Sequence, residues 1–108
     1  MIAMNEKIKL GILRLHILHS ARNGDVCETE IIGQLSHIDG EISNDTLYRM
    51  IREMEGKGYL TSRESTVDGC ERRHYRITMK GEDKYVMALD LLQNMLGSML
   101  LPSEGDGS

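Results

Sequence analysis

Apolar residues recur along this chain in two rhythms. Over residues 6–21, Ile8, Leu10, Ile12, Leu13, Leu15, Ile17 and Leu18 cover more than half the circumference of a helix, which predicts a first helix wrapped on most sides. "RNGD" at 22–25 reads as a turn. Glu28 to Ser36 then brings Ile31, Ile32 and Leu35 onto one face of a short second helix, closed by Gly40 in "HIDGE". Ser43 is a good N-cap for a third helix, Asp45 stands in its first turn where the dipole favours an anion, and Ile42 with Leu47 forms a hydrophobic staple. Leu47, Met50, Ile51 and Met54 make one apolar stripe. Asp45, Arg49 and Arg52 lie opposite it with Tyr48 on the flank, and Gly56 and Gly58 stop the helix.

The period then falls to two. Asp68-Gly69 sits between two β-prone runs and predicts a type I′ hairpin turn. With those residues as the turn, Val67 faces Cys70, and the ladder continues through Ser65/Arg72, Glu64/Arg73, Arg63/His74, Ser62/Tyr75, Thr61/Arg76 and Leu60/Ile77. Alternation puts Leu60, Ser62, Tyr75 and Ile77 on a core face closed by the Glu64/Arg73 pair. Arg63, Arg72, His74 and Arg76 share the other. From Thr78, a further N-cap, a last helix runs to about Leu101, where Pro102 ends it. Its residues Tyr85, Ala88, Leu89, Leu92, Met95, Leu96 and Met99 form a nearly heptad-spaced seam, with Asp90, Gln93, Asn94 and Ser98 on the wet side.

The expected fold is therefore mainly α with a small β-hairpin, in the order α-α-α-β-β-α: a winged helix-turn-helix with a C-terminal dimerisation helix. Residues 1–77 form the DNA-binding winged helix, 78–101 the dimerisation helix and 102–108 a flexible tail. In such an architecture the third helix enters the major groove with its N-terminal half, and the hairpin lies against phosphates or the neighbouring minor groove. The expected DNA contacts are Ser43, Asn44, Asp45, Thr46, Tyr48, Arg49 and Arg52 from the helix, and Arg63, Arg72, Arg73, His74 and Arg76 from the wing. The bland counterparts are a solvated helix face for Arg49 and Arg52, a half-buried packing role for Tyr48, and core filling for the methionines.

Composition narrows this picture. The 108 residues suffice for one core, and with no Phe or Trp and eight Met that core must be aliphatic. The net charge of −4 argues against a generally basic protein. Residues 1–42 carry four Lys/Arg against six Asp/Glu, whereas residues 43–84 carry nine against eight, so any polyanion surface is local. Cys27 and Cys70 are too far apart for a compact metal motif, His16 and His19 are expected to be structural or interfacial, and no cofactor or metal is expected. Cys70, at the wing turn beside Arg72 and Arg73, is not expected to be an essential thiol. No nucleophile–base pairing or Gly-rich phosphate loop suggests an enzyme. Charges break up the only early apolar region, so neither a signal peptide nor a membrane span is expected, and a cytoplasmic location follows.

Two longer stretches, "TLYRMIREMEGKGYLTSRE" and "ERRHYRITMKG", resemble the PadR family of transcriptional regulators. Thr46, Leu47 and Tyr48 match its helix start, Met54, Glu55, Gly58, Tyr59 and Leu60 its helix exit, and Arg73, Tyr75, Ile77, Thr78 and Gly81 its wing-to-helix junction. The resemblance covers residues 10 to about 97. Where the family commonly carries His-Gly-Tyr before the second helix, this chain has Cys27, Glu28 and Thr29, a departure that bears on the packing of that helix. The resemblance implies a homodimeric repressor of double-stranded DNA, such members often being released by a small-molecule effector near the dimer interface, and two-fold pairing through the last helix predicts a palindromic operator. No Trp is present for the aromatic sandwich of some multidrug-sensing members. A winged-helix module that binds an acidic protein surface instead of DNA is the alternative reading.

Overall fold

The computed structural model describes residues 4–100, in the order α1 (Met4–Ala21), β1 (Val26–Cys27), α2 (Glu28–Ile38), α3 (Asn44–Gly56), β2 (Leu60–Val67), β3 (Cys70–Ile77) and α4 (Met79–Leu100). The helix end expected near Leu101, its stop at Pro102 and the tail over 102–108 lie outside the described residues. The fold is a winged helix-turn-helix with a C-terminal helix. Three antiparallel strands lie in the order β1-β3-β2, and the two-residue β1, which periodicity is too short to reveal, pairs Val26 with Tyr75 and Cys27 with His74.

The hairpin follows the register that Asp68-Gly69 imposes, from Val67↔Cys70 at the turn to Leu60↔Ile77 at the root. Asp68 and Gly69 have φ of 53° and 79°, the double positive φ of a type I′ turn, whose twist matches that of the strands. One face of the hairpin therefore carries Leu60 and Tyr75 into the core. They meet Leu13 and Ile17 of α1, Ile31 and Leu35 of α2, and Leu47, Ile51 and Met54 of α3, all buried.

α3 begins and ends as its sequence dictates. Ser43 Oγ accepts from the Thr46 backbone N–H at 3.2 Å. At the other end the Gly58 N–H donates to Glu55 O and the Tyr59 N–H to Met54 O, a Schellman cap in which Gly58 takes φ +87°. The same cap anchors α4. Thr78 donates its hydroxyl to Gly58 O at 2.6 Å and its backbone N–H to Tyr59 O at 3.1 Å, while its Oγ1 accepts from the Gly81 N–H. Gly81 then lies so close to the chain at Tyr59 that a Cβ would overlap the Tyr59 carbonyl oxygen.

α4 packs its first turns on the domain, where Gly81 and Tyr85 are buried, and exposes most of its far half. The radius of gyration, 16.5 Å, exceeds the roughly 13 Å of a compact domain of this length because that helix projects. Two glycines separate packing from helix propensity. Gly81→Ala should destabilise the domain by about 2–3 kcal/mol through backbone overlap. Gly33→Ala, in α2 with open space around the added methyl, should stabilise by about 0.5–1 kcal/mol. Urea unfolding followed by circular dichroism measures both.

Candidate nucleic-acid interface

The start of α3 is built from small polar side chains that cap the helix and still face outward. Ser43, Asn44 and Asp45 are exposed, Ser43 Oγ lies 2.9 Å from Thr46 Oγ1, and Asn44 Oδ1 accepts from Ser36 Oγ at 3.2 Å. One turn on, Arg49 is exposed and forms no ion pair among the described residues. Tyr48 is half-buried, packed against the core beside the exposed face of α3.

Arg52 differs from its neighbours. Its Nη2 donates to Glu28 Oε1 and Oε2 at 3.3 and 3.2 Å, and its Nε donates to the Tyr75 hydroxyl at 3.1 Å. Tyr75 in turn donates to Glu28 Oε2 at 3.2 Å. Burial pushes the Tyr75 phenol above its ordinary value, against the opposing hydrogen bond from Arg52, so the hydroxyl keeps its proton for Glu28. Glu28 is the one buried charged side chain among the described residues. Nothing in periodicity marks it, and its position after Cys27, where the resembled family carries glycine, is the available clue. Arg52 thus ties α3 to the start of α2 and to β3, though its side chain remains half-exposed.

The wing carries its arginines on two faces. Arg73 lies on the inner face, with Nη2 3.1 Å from Glu64 Oε2 and Nη1 donating to Ser62 Oγ at 3.0 Å. On the outer face Arg63 Nε lies 2.7 Å from Asp25 Oδ2 and Arg76 Nε 3.2 Å from Asp25 Oδ1. A hydrogen bond from Arg63, with the charges of Arg63 and Arg76, holds the Asp25 carboxyl below the usual carboxylate range. His74 Nε2 is 3.1 Å from Ser65 Oγ. Arg72 is exposed, forms no ion pair among the described residues, and with the Thr29 hydroxyl helps to hold the Cys27 thiol below its ordinary range, the Thr29 contact being the larger cause. Both cysteines are free. Among the described residues, the α3 start and the outer wing thus offer Arg49 and Arg72 free of ion pairs, whereas Arg52, Arg63, Arg73 and Arg76 hold carboxylates.

The α4 seam divides. Tyr85, counted in it by spacing, turns inward: its ring is buried, its hydroxyl is 3.0 Å from His19 Nδ1, and the Arg22 guanidinium stacks over it at 4.6 Å. Ala88, Leu89 and Leu92 are half-buried, while Met95, Leu96 and Met99 are exposed together with Leu91. Between α1 and α4 lies an open groove of about 210 Å³ walled by Ile8, Ile12, Leu15, Leu91, Leu92 and Met95. Among the described residues, no group of three His, Cys, Asp or Glu side chains is placed to hold a metal, and no helix is long and apolar enough to cross a membrane.

Comparison with known proteins bears on this arrangement. Residues 17–86 match the model of the transcriptional regulator PadR-like family. Transcriptional regulator Rv3488 of Mycobacterium tuberculosis is 36% identical over 90 residues, spanning 79% of this chain and 83% of that protein. Among solved structures, a PadR family transcriptional regulator from Eggerthella lenta superposes with a TM-score of 0.70 at 23% identity, over 90% of this chain and 88% of its own. Bacillus subtilis PadR in complex with operator DNA superposes at 0.62 and 20% identity, over 72% of this chain and 46% of its own.

The Glu28–Arg52–Tyr75 cluster makes a stability prediction that an exposed arginine would not. Arg52→Ala removes the cation from a carboxylate held away from water. Because Arg52 is half-exposed and solvent can partly replace it, the expected loss is about 1–2 kcal/mol rather than the full cost of an unpaired buried charge. Arg49→Ala should stay within about 0.5 kcal/mol of wild type. Replacing Glu28 and Arg52 by Met together with Tyr75 by Phe should recover much of the loss, since neither an unpaired charge nor a partnerless buried hydroxyl then remains. Denaturant midpoints at neutral pH read all three.

Proposed function

The chain belongs to the PadR-like family of transcriptional regulators, and from that membership we propose that it is a sequence-specific repressor that binds a palindromic duplex operator as a homodimer. The observation that carries the reading is the pairing of two outward surfaces on one rigid unit. The N-terminal half of α3 presents Ser43, Asn44, Asp45, Thr46 and Arg49, and the outer face of the wing presents Arg63, Arg72, His74 and Arg76. α3 has the dimensions of a major groove reader, with Arg49 placed to meet a base edge, while the wing arginines meet phosphates. Arg52 and Arg73 contribute by holding α3 and the wing in place.

A second copy is the occupant of the α1–α4 groove. Ile8, Ile12, Leu91, Met95 and Met99 are each more than half exposed, and pairing two such faces removes apolar surface from water at about 25 cal/mol per Å². Two-fold pairing would set the recognition helices about 34 Å apart, the spacing of half-sites one helical turn apart. Beside this groove, a hollow of about 190 Å³ with a floor of Leu15, Leu18 and Met54 and a rim of Arg14, Lys57 and Lys84 supports release by a small effector.

Selection of duplexes from a random pool by the purified protein tests the reading. A palindromic site should emerge. Arg49→Ala should weaken that site more than random DNA by about 1–3 kcal/mol. Arg72→Ala should weaken all duplexes alike and make the salt dependence shallower by about one unit of slope. Equal binding of the selected site by both variants and wild type would remove the assignment of these surfaces to DNA.

The seam has its own measurement. Leu91→Glu combined with Met95→Glu places like charges in the groove, and should give a monomer by light scattering with operator affinity lowered at least tenfold. A variant that remains dimeric would show that another surface pairs, and a monomer with full operator affinity would show that operator binding does not depend on the pair.

A further inference from the structure

Asp25 follows Gly24, whose φ of +103° turns the chain onto the sheet, and precedes β1. β1 is only two residues long, yet its pairing with Tyr75 and His74 places the preceding carboxylate beside the outer face of the wing. There each carboxylate oxygen takes one guanidinium, Oδ2 from Arg63 of β2 and Oδ1 from Arg76 of β3. Both arginines remain more than half exposed, while the Asp25 side chain is 24% exposed beneath them. A shallow hollow of about 170 Å³ is bounded by Asp25, Thr61, Arg63, His74 and Arg76.

Two arginine Nε groups converging on the two oxygens of one anion is the arrangement that holds the non-bridging oxygens of a phosphodiester. We propose that Asp25 is an internal competitor at a backbone-phosphate site of the wing, occupying with its own carboxylate the place a DNA phosphate takes on Arg63 and Arg76. The inference rests on the DNA-binding reading above and adds a control to it. A phosphate approaching this site must displace Asp25 from the two guanidinium groups or share them with it. The Arg63–Arg76 site then adds little to binding on random duplex, and its grip is reserved for sites where α3 already holds the groove. Counterion release is reduced in step, because part of the arginine charge is compensated by protein rather than by salt ions.

The test measures binding of a random-sequence 24-base-pair duplex by wild type, Asp25→Asn, Asp25→Ser and Glu64→Gln over a range of chloride. Glu64→Gln removes the same charge from the inner face of the wing, where Glu64 pairs with Arg73. Two different replacements of Asp25 separate a folding defect in one from the charge effect shared by both. Both Asp25 variants should bind random duplex about five- to tenfold tighter near 0.1 M salt. Their log–log salt slope should steepen by about 0.9 for one freed phosphate contact. Glu64→Gln should stay within about twofold of wild type. Unchanged or weaker binding by both Asp25 variants, or an equal gain from Glu64→Gln, would overturn the proposal while leaving the DNA reading intact. If no form binds duplex, the DNA reading fails, and inorganic pyrophosphate then decides the anion site. Movement of the Arg63 and Arg76 Nε–H signals by pyrophosphate in Asp25→Asn but not in wild type would sustain it, and no movement in Asp25→Asn would overturn it.

Discussion

Tyr75 carries its hydroxyl into the middle of the domain, and a hydroxyl removed from water must find partners or cost the fold its desolvation. It finds Glu28, to which it donates, and Arg52, from which it accepts. Glu28 opens α2, Arg52 lies midway along α3, and Tyr75 is in β3, so one satisfied cluster ties α3 and the wing to each other through the start of α2. Apolar packing alone tolerates sliding of a helix on a sheet. Directional bonds to a single carboxylate do not. The relation between α3 and the wing, on which simultaneous contact with groove and backbone would depend in the proposed function, is set here.

Legibility from sequence followed the strength of local chemistry. The whole β2–β3 register was readable because Asp68-Gly69 admits one turn geometry and because a shift by one residue would have turned Tyr75 outward and Arg76 inward. The α3 boundaries were readable because Ser43 and Gly58 are the residues that unpaired helix ends require. What escaped was non-local. β1 has no period to detect in two residues, and Asp25 reads as part of a turn until the strand after it pairs. Periodicity places Arg52 correctly on the outer side of α3, but it carries no information about an acid 24 positions earlier in the chain. For Tyr85, heptad counting identifies a repeating stripe without saying whether the stripe faces its own domain or the outside. His19 and Arg22 of α1 supply the answer.

The arginines also show why a count of positive charge is a poor measure of a polyanion surface. Six were expected on or near the interface from α3 and the wing. Four of them hold a carboxylate of the same chain: Arg52 on Glu28, Arg73 on Glu64, and Arg63 with Arg76 on Asp25. Charge that is locally compensated steers ligands weakly at a distance and still offers directional donors at contact. On the DNA-binding reading proposed above, these pairings would shield an acidic protein from indiscriminate attachment to nucleic acid.

The junction at Thr78 and Gly81 gives α4 a mechanical meaning. Because Thr78 bonds to Gly58 and Tyr59, and Gly81 allows no gap against Tyr59, the root of α4 is seated on the very residues that terminate α3 and begin the wing. α4 has 22 residues and is therefore about 33 Å long. A tilt of about 5° at its root displaces its far end by about 3 Å, and the lever works equally in reverse. Whatever grips the distal turns of α4 gains leverage over the base of the hairpin, so the helix that projects furthest from the domain is also a handle on its reading head.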